Sequence, residues 1–169
     1  MMKASILAGA LVLIGQTGLH AQEGGASTAT FSNTRGESIG EAKLTAVPSG
    51  VLIELDVDGL TPESWVSFHI HETGECDPSS DFETAGGHFN PTSADHGLLV
   101  EGGPHAGDMP NQYVGSTGML KSAVFNSMVN LEGDAGITGK SLVIHGGQDD
   151  YKTQPSGDAG PRIACAVIE

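Results

Sequence analysis

The chain has 169 residues, a length typical of one domain, and carries a formal net charge of −14. This acidic balance argues against nucleic acid as a partner, because its phosphates would be repelled, and against an anionic membrane surface. No apolar stretch is long enough to form a transmembrane helix. We therefore expect a single globular domain with neither nucleic acid nor a membrane as its partner.

Residues 1–21 have the features of a secretory signal peptide, in which Lys3 precedes a short apolar run and Ala21 offers a small residue for cleavage. We expect residues 22–27, which are small and polar, to be flexible, and the folded domain to span residues 28–169. Such a signal predicts export to the periplasm or the extracellular space.

The two cysteines, Cys76 and Cys165, are an even count in a chain that we expect to be exported, which favours a disulfide between them. That bond would close a loop of about ninety residues and contribute at most roughly 4–5 kcal/mol by the chain-entropy relation. The alternative is two free, buried thiols.

Short strand patterns separated by turn signals cover most of the chain, and no segment shows a helical period over more than a turn or two. The clearest strand spans 51–57, where alternate residues are apolar and Glu54 and Asp56 occupy the other face. The eight predicted strands span residues 28–33, 41–47, 51–57, 64–72, 113–114, 119–126, 141–145 and 162–168. With 25 glycines and closely spaced turns, the pattern predicts an all-β fold, either an antiparallel sandwich or a barrel.

Two connections, over about residues 73–110 and 146–161, are much longer than the others. Structureless loops beyond about 12–15 residues are unusual in a compact domain and are usually functional or disordered. Both connections carry candidate ligands or charges, which argues for function. The first carries His88, His96, His105 and Asp108, and the second carries Asp149, Lys152 and Asp158.

Six histidines remain once His20 is removed with the signal segment, and their pattern predicts a metal centre. His69 and His71 are two residues apart on a predicted strand, so both imidazoles point to the same side. His145 lies on another strand and can deliver a third imidazole. A histidine-rich set with an open position suits copper, and three imidazoles with one carboxylate match tetrahedral zinc. The set with the carboxylate consists of His88, His96, His105 and Asp108. Spacing alone does not assign an ion to either set.

Five motifs, in a fixed order along the chain, carry a resemblance to a known family. They are Phe-His-Ile-His-Glu at 68–72, Gly-Gly-His-Phe-Asn-Pro at 86–91, His-Ala-Gly-Asp at 105–108, Val-Ile-His at 143–145 and Gly-Asp-Ala-Gly-Pro-Arg-Ile-Ala-Cys at 157–165. On these motifs the chain resembles the exported bacterial copper,zinc superoxide dismutases over about residues 28–169. The resemblance implies an eight-stranded antiparallel Greek-key β-barrel or sandwich that holds one copper and one zinc ion per subunit.

The resemblance also implies which residues are ligands, with His88 bridging the two ions. It places copper on His69, His71, His88 and His145, and zinc on His88, His96, His105 and Asp108. Asp149 corresponds to the aspartate that accepts hydrogen bonds from one copper histidine and one zinc histidine, which fixes the orientation of both rings.

The implied activity is the dismutation of superoxide to dioxygen and hydrogen peroxide, by a monomer or a homodimer. Arg162 corresponds to the arginine beside the copper that docks the substrate anion, and His88 to the histidine that takes up and returns a proton. The disulfide of Cys76 with Cys165 would hold the long loop near Arg162. Lys152 is a candidate for steering the anion, and an ordinary solvated surface charge is the alternative.

The sequence departs from the family pattern at Ser67, Glu75 and Trp65, where we expect altered packing because none of them is a ligand. Two other classes of protein compete with the enzyme. A blue-copper electron carrier needs a cysteine thiolate with histidine and methionine nearby, and no histidine lies near Cys165 in sequence. A non-catalytic periplasmic copper- or zinc-binding protein would keep the ligands but would need neither Arg162 nor an open position on copper.

Overall fold

The computed structural model describes residues 25–169, so the signal peptide predicted over 1–21 lies outside the described part of the chain. The strands are β1 (Ala26–Asn33), β2 (Ser38–Val47), β3 (Gly50–Val57), β4 (Trp65–His71), β5 (Gln112–Tyr113), β6 (Leu120–Asn126), β7 (Ser141–His145) and β8 (Arg162–Val167). Two short 3-10 helices, Pro78–Ser80 and Glu83–Ala85, lie in the loop between β4 and β5. Within residues 25–169, no helix is long and apolar enough to cross a membrane.

The strands pair antiparallel in one sheet, in the order β5-β4-β7-β8-β1-β2-β3-β6. The two end strands, β5 and β6, also contact each other, so the sheet curves into a nearly closed barrel. β4, β5 and β6 follow one another along the chain, and β7 returns by a long connection to lie beside β4, which is a Greek-key arrangement. The prediction of an all-β, eight-stranded antiparallel Greek-key barrel is confirmed.

Strand β3 shows how alternation builds the core of the barrel. Its apolar residues at every second position are buried, and Glu54 and Asp56 between them are exposed. Burying apolar area stabilises the fold by roughly 25 cal/mol per Å². A slip of one residue would turn the apolar set to solvent, so burial fixes the register of β3 against β2 and β6.

Strands β4 and β7 are different because they are buried on both faces. On the inner face, Phe68, Ile70 and Ile144 join the hydrophobic core. On the outer face lie His69 and His145, which are also buried because the long loops cover this side. The fold therefore creates a polar layer that is shielded from solvent, between the barrel wall and its loops.

All eight strands occur within three residues of their predicted bounds. β1 begins earlier than predicted, because Ala26 pairs with Thr45 of β2, so the sheet starts inside the segment 22–27 that the sequence predicts to be flexible. The two long connections are present as predicted and span residues 72–111 and 146–161.

Candidate metal centre

The first long loop returns along the edge of β4 that continues beyond β5, and it brings its side chains to that strand. The backbone N–H of Ile70 donates to the Gly107 carbonyl at 2.9 Å, and the Phe89 N–H donates to the Ile70 carbonyl at 2.8 Å. These bonds extend the ladder of β4 with two segments of the loop. Gly107 is required there, because a Cβ atom would overlap the Ile70 carbonyl oxygen.

Two isolated backbone bridges accompany this pairing. One places His88 opposite His71, and the other places Asp108 opposite His69. Strand β7, on the other edge of β4, carries His145 to the same outer face. Residues that are far apart in the sequence therefore meet on one side of β4.

The described part of the chain contains two groups of buried side chains whose ligand atoms lie within 4.8 Å of one another. The first group is His69, His71, His88 and His145, and the second group is His88, His96, His105 and Asp108. His88 belongs to both groups. The structure thus brings together all the residues that the sequence predicts as ligands.

Two histidines of the first group have one ring nitrogen in a fixed hydrogen bond. His69 Nε2 lies 2.9 Å from Asp149 Oδ2, and His71 Nδ1 lies 2.9 Å from the Gly86 carbonyl oxygen. A nitrogen that donates to an oxygen carries the ring proton, so the other nitrogen of a neutral ring keeps its lone pair. His69 Nδ1 is buried without a hydrogen-bond partner, and so is Nε2 of His88.

His145 completes the first group. Its Nδ1 lies 3.3 Å from the Gly160 carbonyl oxygen, and its Nε2 lies 3.2 Å from Nε2 of His71. Both rings use Nδ1 as the donor to a carbonyl, so in the neutral state neither Nε2 has a proton to offer the other. Two lone pairs that face each other at this distance fit a site where both donate to one cation.

Asp108 is at the centre of the second group. His88 Nδ1 lies 2.8 Å from Asp108 Oδ1. His96 Nδ1 lies 3.0 Å from Oδ2, and His105 Nδ1 lies 3.4 Å from Oδ1. The backbone N–H groups of Gly97 and His105 donate to Oδ2 and hold the carboxylate in place. Nδ1 of His96 and Nδ1 of His105 make no hydrogen bond in spite of this proximity, so these atoms fit the donor set of tetrahedral zinc.

Asp149, on the second long loop, contacts one histidine of each group with its carboxylate. Its Oδ2 lies 2.9 Å from His69 Nε2, and its Oδ1 lies 3.1 Å from His96 Nε2. Two residues without a predicted role hold Asp149 there. The Asn111 side chain bonds both the N–H and the carbonyl of Asp149, and the Tyr151 N–H donates to Oδ1 at 2.6 Å. Neither residue has a ligand-like spacing in the sequence, so no sequence pattern indicates this role.

Burial keeps three histidines of the first group neutral. It lowers the pKa of His69 to about 4, of His145 to about 3 and of His71 to about 2, from an ordinary value of 6.5. Neighbouring histidines add to this effect at His71 and His145, while the hydrogen bond to Asp149 opposes it at His69. A metal ion needs the lone pair of a neutral imidazole, so these rings are ready to bind one at neutral pH.

The two carboxylates are ionised although they are buried. Burial raises the pKa of Asp108, but the hydrogen bond from His88 and the adjacent His96 ring hold it far below its usual range. At Asp149, burial is likewise outweighed by hydrogen bonds from His69 and His96, and the pKa is lowered. Burial lowers the pKa of His96, yet the two carboxylates raise it overall to about 9. A divalent ion at this group would replace the proton on His96.

Arg162, at the start of β8, faces the open side of the first group. Its Nη1 donates to the Phe82 carbonyl at 2.6 Å, and its Nη2 donates to the Gly86 carbonyl at 2.8 Å. Gly86 is also the partner of His71, so one carbonyl positions both side chains. An open cleft of about 430 Å³ leads to this point, and its lining includes Arg162, His71, His88 and His145.

Cys76 and Cys165 form the predicted disulfide, with their Cα atoms 5.6 Å apart. It joins the first long loop to β8 and packs beside Phe82 in a small hydrophobic cluster separate from the core. Because the Phe82 carbonyl accepts a hydrogen bond from Arg162, the disulfide holds the loop segment that positions the arginine. Residues 25–169 contain no free cysteine, so they offer no thiolate for a blue-copper centre.

The other residues singled out in the sequence lie outside the two groups. Lys152 is exposed and is not among the side chains that line the cleft. Ser67 is fully buried, and its hydroxyl has no hydrogen-bond partner. Trp65 is half exposed and packs edge-on against Tyr113, with ring centroids 5.3 Å apart. Glu75 is exposed. These departures from the family pattern leave both ligand groups intact.

A Greek-key barrel that carries two buried ligand groups with one shared histidine is the scaffold of a protein with two adjacent metal ions. The family model described as copper/zinc superoxide dismutase matches residues 38–168. The chain is 48% identical over 170 residues to copper,zinc superoxide dismutase 2 of Aquifex aeolicus, which covers 98% of this chain and 97% of that protein. It is 37% identical over 150 residues to the copper,zinc superoxide dismutase of Caulobacter vibrioides, with 85% of each chain covered.

Comparison with solved structures points to the same family. A superoxide-dismutase-like protein from Bacillus subtilis, known from its crystal structure, has a TM-score of 0.78 and 34% sequence identity. The match covers 82% of this chain and 95% of that chain. The chain belongs to the copper/zinc superoxide dismutase family, and the resemblance predicted from its motifs is confirmed. Its two ligand groups are suited to the copper and the zinc after which the family is named.

Proposed function

We propose that the protein dismutes superoxide, converting two superoxide anions and two protons into one dioxygen and one hydrogen peroxide. Family membership supports this reaction. The observation that carries the proposal is that His88 is shared by the two groups and lines an open cleft together with Arg162. Bound copper supplies the one-electron redox chemistry, and bound zinc, which has no redox chemistry, supplies a fixed positive charge.

We assign the first group to copper and the second group to zinc. The first group consists only of imidazoles and has one side open to the cleft, as a copper site that exchanges electrons with a small molecule requires. The second group has three imidazole nitrogens and one carboxylate, which is a common ligand set of zinc. The proposed copper ligands are His69, His71, His88 and His145, and the proposed zinc ligands are His88, His96, His105 and Asp108. Asp149 orients one ring of each site.

Arg162 docks the substrate anion in this proposal. Its guanidinium is always charged, and two carbonyls hold it toward the cleft. A hydrogen bond to a charged group contributes about 1.5–3 kcal/mol, which favours anionic superoxide over neutral dioxygen and hydrogen peroxide. The same residue therefore promotes binding of the substrate and release of both products.

His88 handles a proton at Nε2 in this proposal. Its Nδ1 is fixed 2.8 Å from Asp108, which prevents rotation of the ring. Its Nε2 has no hydrogen-bond partner, and the side chain lines the cleft. Formation of hydrogen peroxide needs two protons, and a ring nitrogen at this position can deliver one of them to the docked anion.

The test is superoxide consumption by the purified protein loaded with copper and zinc, expressed per bound copper. We expect fast decay that is lost in a chelator-treated sample and in His88→Ala. Tight binding of both metals with decay no faster than that of free copper would refute the proposal. The protein would then be a non-catalytic copper- or zinc-binding member of the family.

We further propose that the protein works in the periplasm or outside the cell, as a monomer or a homodimer. The disulfide supports the location, because such bonds persist in oxidising compartments. Lys152 remains a prediction as a steering charge, and Lys152→Ala would then slow superoxide consumption only at low salt. Cell fractionation and light scattering of the purified protein measure the location and the oligomeric state.

A further inference from the structure

Glu83 lies at the edge of the cleft, in the segment of the first long loop that holds Arg162. The two carbonyls that accept hydrogen bonds from Arg162 belong to Phe82 and Gly86, which flank the short helix that begins at Glu83. Oε2 of Glu83 lies 3.7 Å from Nη2 of Arg162, and Glu83 lines the same cleft as His88. A carboxylate therefore lies beside the cation that would receive an anion.

The two partners of this ion pair differ in exposure and in the contacts that hold them. The Arg162 side chain is 16% exposed and is fixed by its two carbonyls, whereas the Glu83 side chain is 74% exposed and has no hydrogen bond. An exposed pair at this distance is weak and can open at little cost. Glu83 is thus placed to occupy the free side of the guanidinium and to leave it when another anion arrives.

We propose that Glu83 is an internal competitor for Arg162 that lowers the affinity of the cleft for small anions. Its charge acts in two ways. While no anion is bound, the Glu83 carboxylate pairs with the Arg162 guanidinium and offsets its positive charge. It also repels an anion that approaches from solvent. The idea deepens the proposed function, because superoxide is such an anion and Glu83 would limit how often it docks.

The experiment compares azide binding to the copper- and zinc-loaded wild type, Glu83→Gln and the control Glu75→Gln, at constant ionic strength. Glu75 is an exposed glutamate of the same loop that does not line the cleft, so its replacement changes the net charge equally. Azide affinity is read from the optical absorption of copper. We expect Glu83→Gln to bind azide about two- to fivefold more tightly, as Coulomb's law gives for one charge at this range in water, and Glu75→Gln to match the wild type.

A double substitution tests whether the effect acts through Arg162. In the background of Arg162→Gln, replacing Glu83 by Gln should have a clearly smaller effect, because the cation for which Glu83 competes is absent. Unchanged azide affinity in Glu83→Gln, an equal gain in Glu75→Gln, or weaker binding in Glu83→Gln would each overturn the proposal. The last result would mean that Glu83 positions Arg162.

Superoxide consumption separates this proposal from the function on which it rests. If the wild type binds copper and azide but does not consume superoxide, the proposed function fails and the azide comparison still decides the role of Glu83. If the wild type is active, the rate constant of Glu83→Gln with superoxide should rise by the same factor as its azide affinity.

Discussion

Two walls of the barrel use the same strand pattern and differ in what covers them. The open wall, formed by β1, β2, β3 and β6, presents its polar side chains to solvent. There the ion pair between Lys121 and Asp56 measures 2.9 Å, and its side chains are 61% and 55% exposed. The covered wall, formed by β4 and β7, has a pair between His69 and Asp149 at the same distance, with side chains at most 1% exposed.

The two pairs have the same length, so the different behaviour of the pair on the covered wall comes from its burial and not from its distance. An exposed pair is screened by water and contributes little to stability. On the covered wall, burial lowers the pKa of His69, whereas at Asp149 burial is outweighed by hydrogen bonds from His69 and His96, which lower its pKa. Burial also leaves Nδ1 of His69 without a hydrogen-bond partner. The two long loops therefore convert an ordinary strand face into a place where neutral imidazoles converge.

The largest expected effect comes from releasing the loop that covers this wall. Replacing Cys76 and Cys165 by serine opens a connection of 89 residues, which should lower the free energy of unfolding by roughly 4–5 kcal/mol. Urea unfolding of the metal-loaded protein measures this change. Copper-bound protein should also lose azide affinity, because the segment around Phe82 no longer holds Arg162. A loss below about 1 kcal/mol would mean that the other contacts of the loop are sufficient to keep the wall covered.

A smaller change can disturb the covered wall from within. A Cβ atom at Gly157 would overlap Asp149 Oδ1 and lie 2.7 Å from His96 Nε2. We expect Gly157→Ala to lower the free energy of unfolding by about 3 kcal/mol or more and to weaken zinc binding. Gly139→Ala is the matched control, because Gly139 has a similar positive φ, 77° against 71°, and open space where its Cβ atom would lie. Equal losses in the two variants, measured by urea unfolding and zinc titration, would assign the whole effect to backbone strain.

Removal of the docking cation should affect activity more than stability. We expect Arg162→Ala to lower kcat/KM by about 10- to 150-fold, which corresponds to a loss of about 1.5–3 kcal/mol. Lys121→Ala removes a positive charge from the open wall and should change kcat/KM by less than about twofold. Pulse-radiolysis rates per bound copper compare the two variants. A normal rate in Arg162→Ala would remove the arginine from the mechanism.

The sequence predicts which side chains form the site better than it predicts the hydrogen-bond partners that position them. All eight strands could be predicted, because alternation and turn residues are local patterns, and the pattern of histidines indicates a metal centre. The complete ligand groups, with His88 in both, follow only from the resemblance to the family. The partners of Arg162 could not be predicted, because they are backbone carbonyls of Phe82 and Gly86, about eighty residues away and without any residue-type signature. The same holds for Asn111, whose contacts with Asp149 exist only once the two loops have met, and for Tyr151, which contributes only a backbone N–H that most residue types could supply.

Stability of the metal-free protein should depend on pH because of the covered wall. The pKa of His69 is lowered to about 4 and that of His145 to about 3, whereas in the unfolded chain both are near 6.5. Below pH 6.5 the unfolded state therefore binds more protons, and the free energy of unfolding decreases as the pH falls. Between pH 8 and pH 5.5, one such histidine accounts for a loss of roughly 1.4 kcal/mol.

His96 should act in the opposite direction at high pH. Its pKa is raised to about 9, so the stability it adds is present below its unfolded pKa and is lost as the pH rises through 9. The metal-free protein should thus be most stable between these limits, as measured by urea unfolding from pH 5.5 to pH 9.5. His145→Gln should flatten the acidic side, because it removes one buried group that resists protonation. A stability that is constant from pH 8 to pH 5.5 would mean that water reaches the imidazoles and that the loops do not seal this wall without metal.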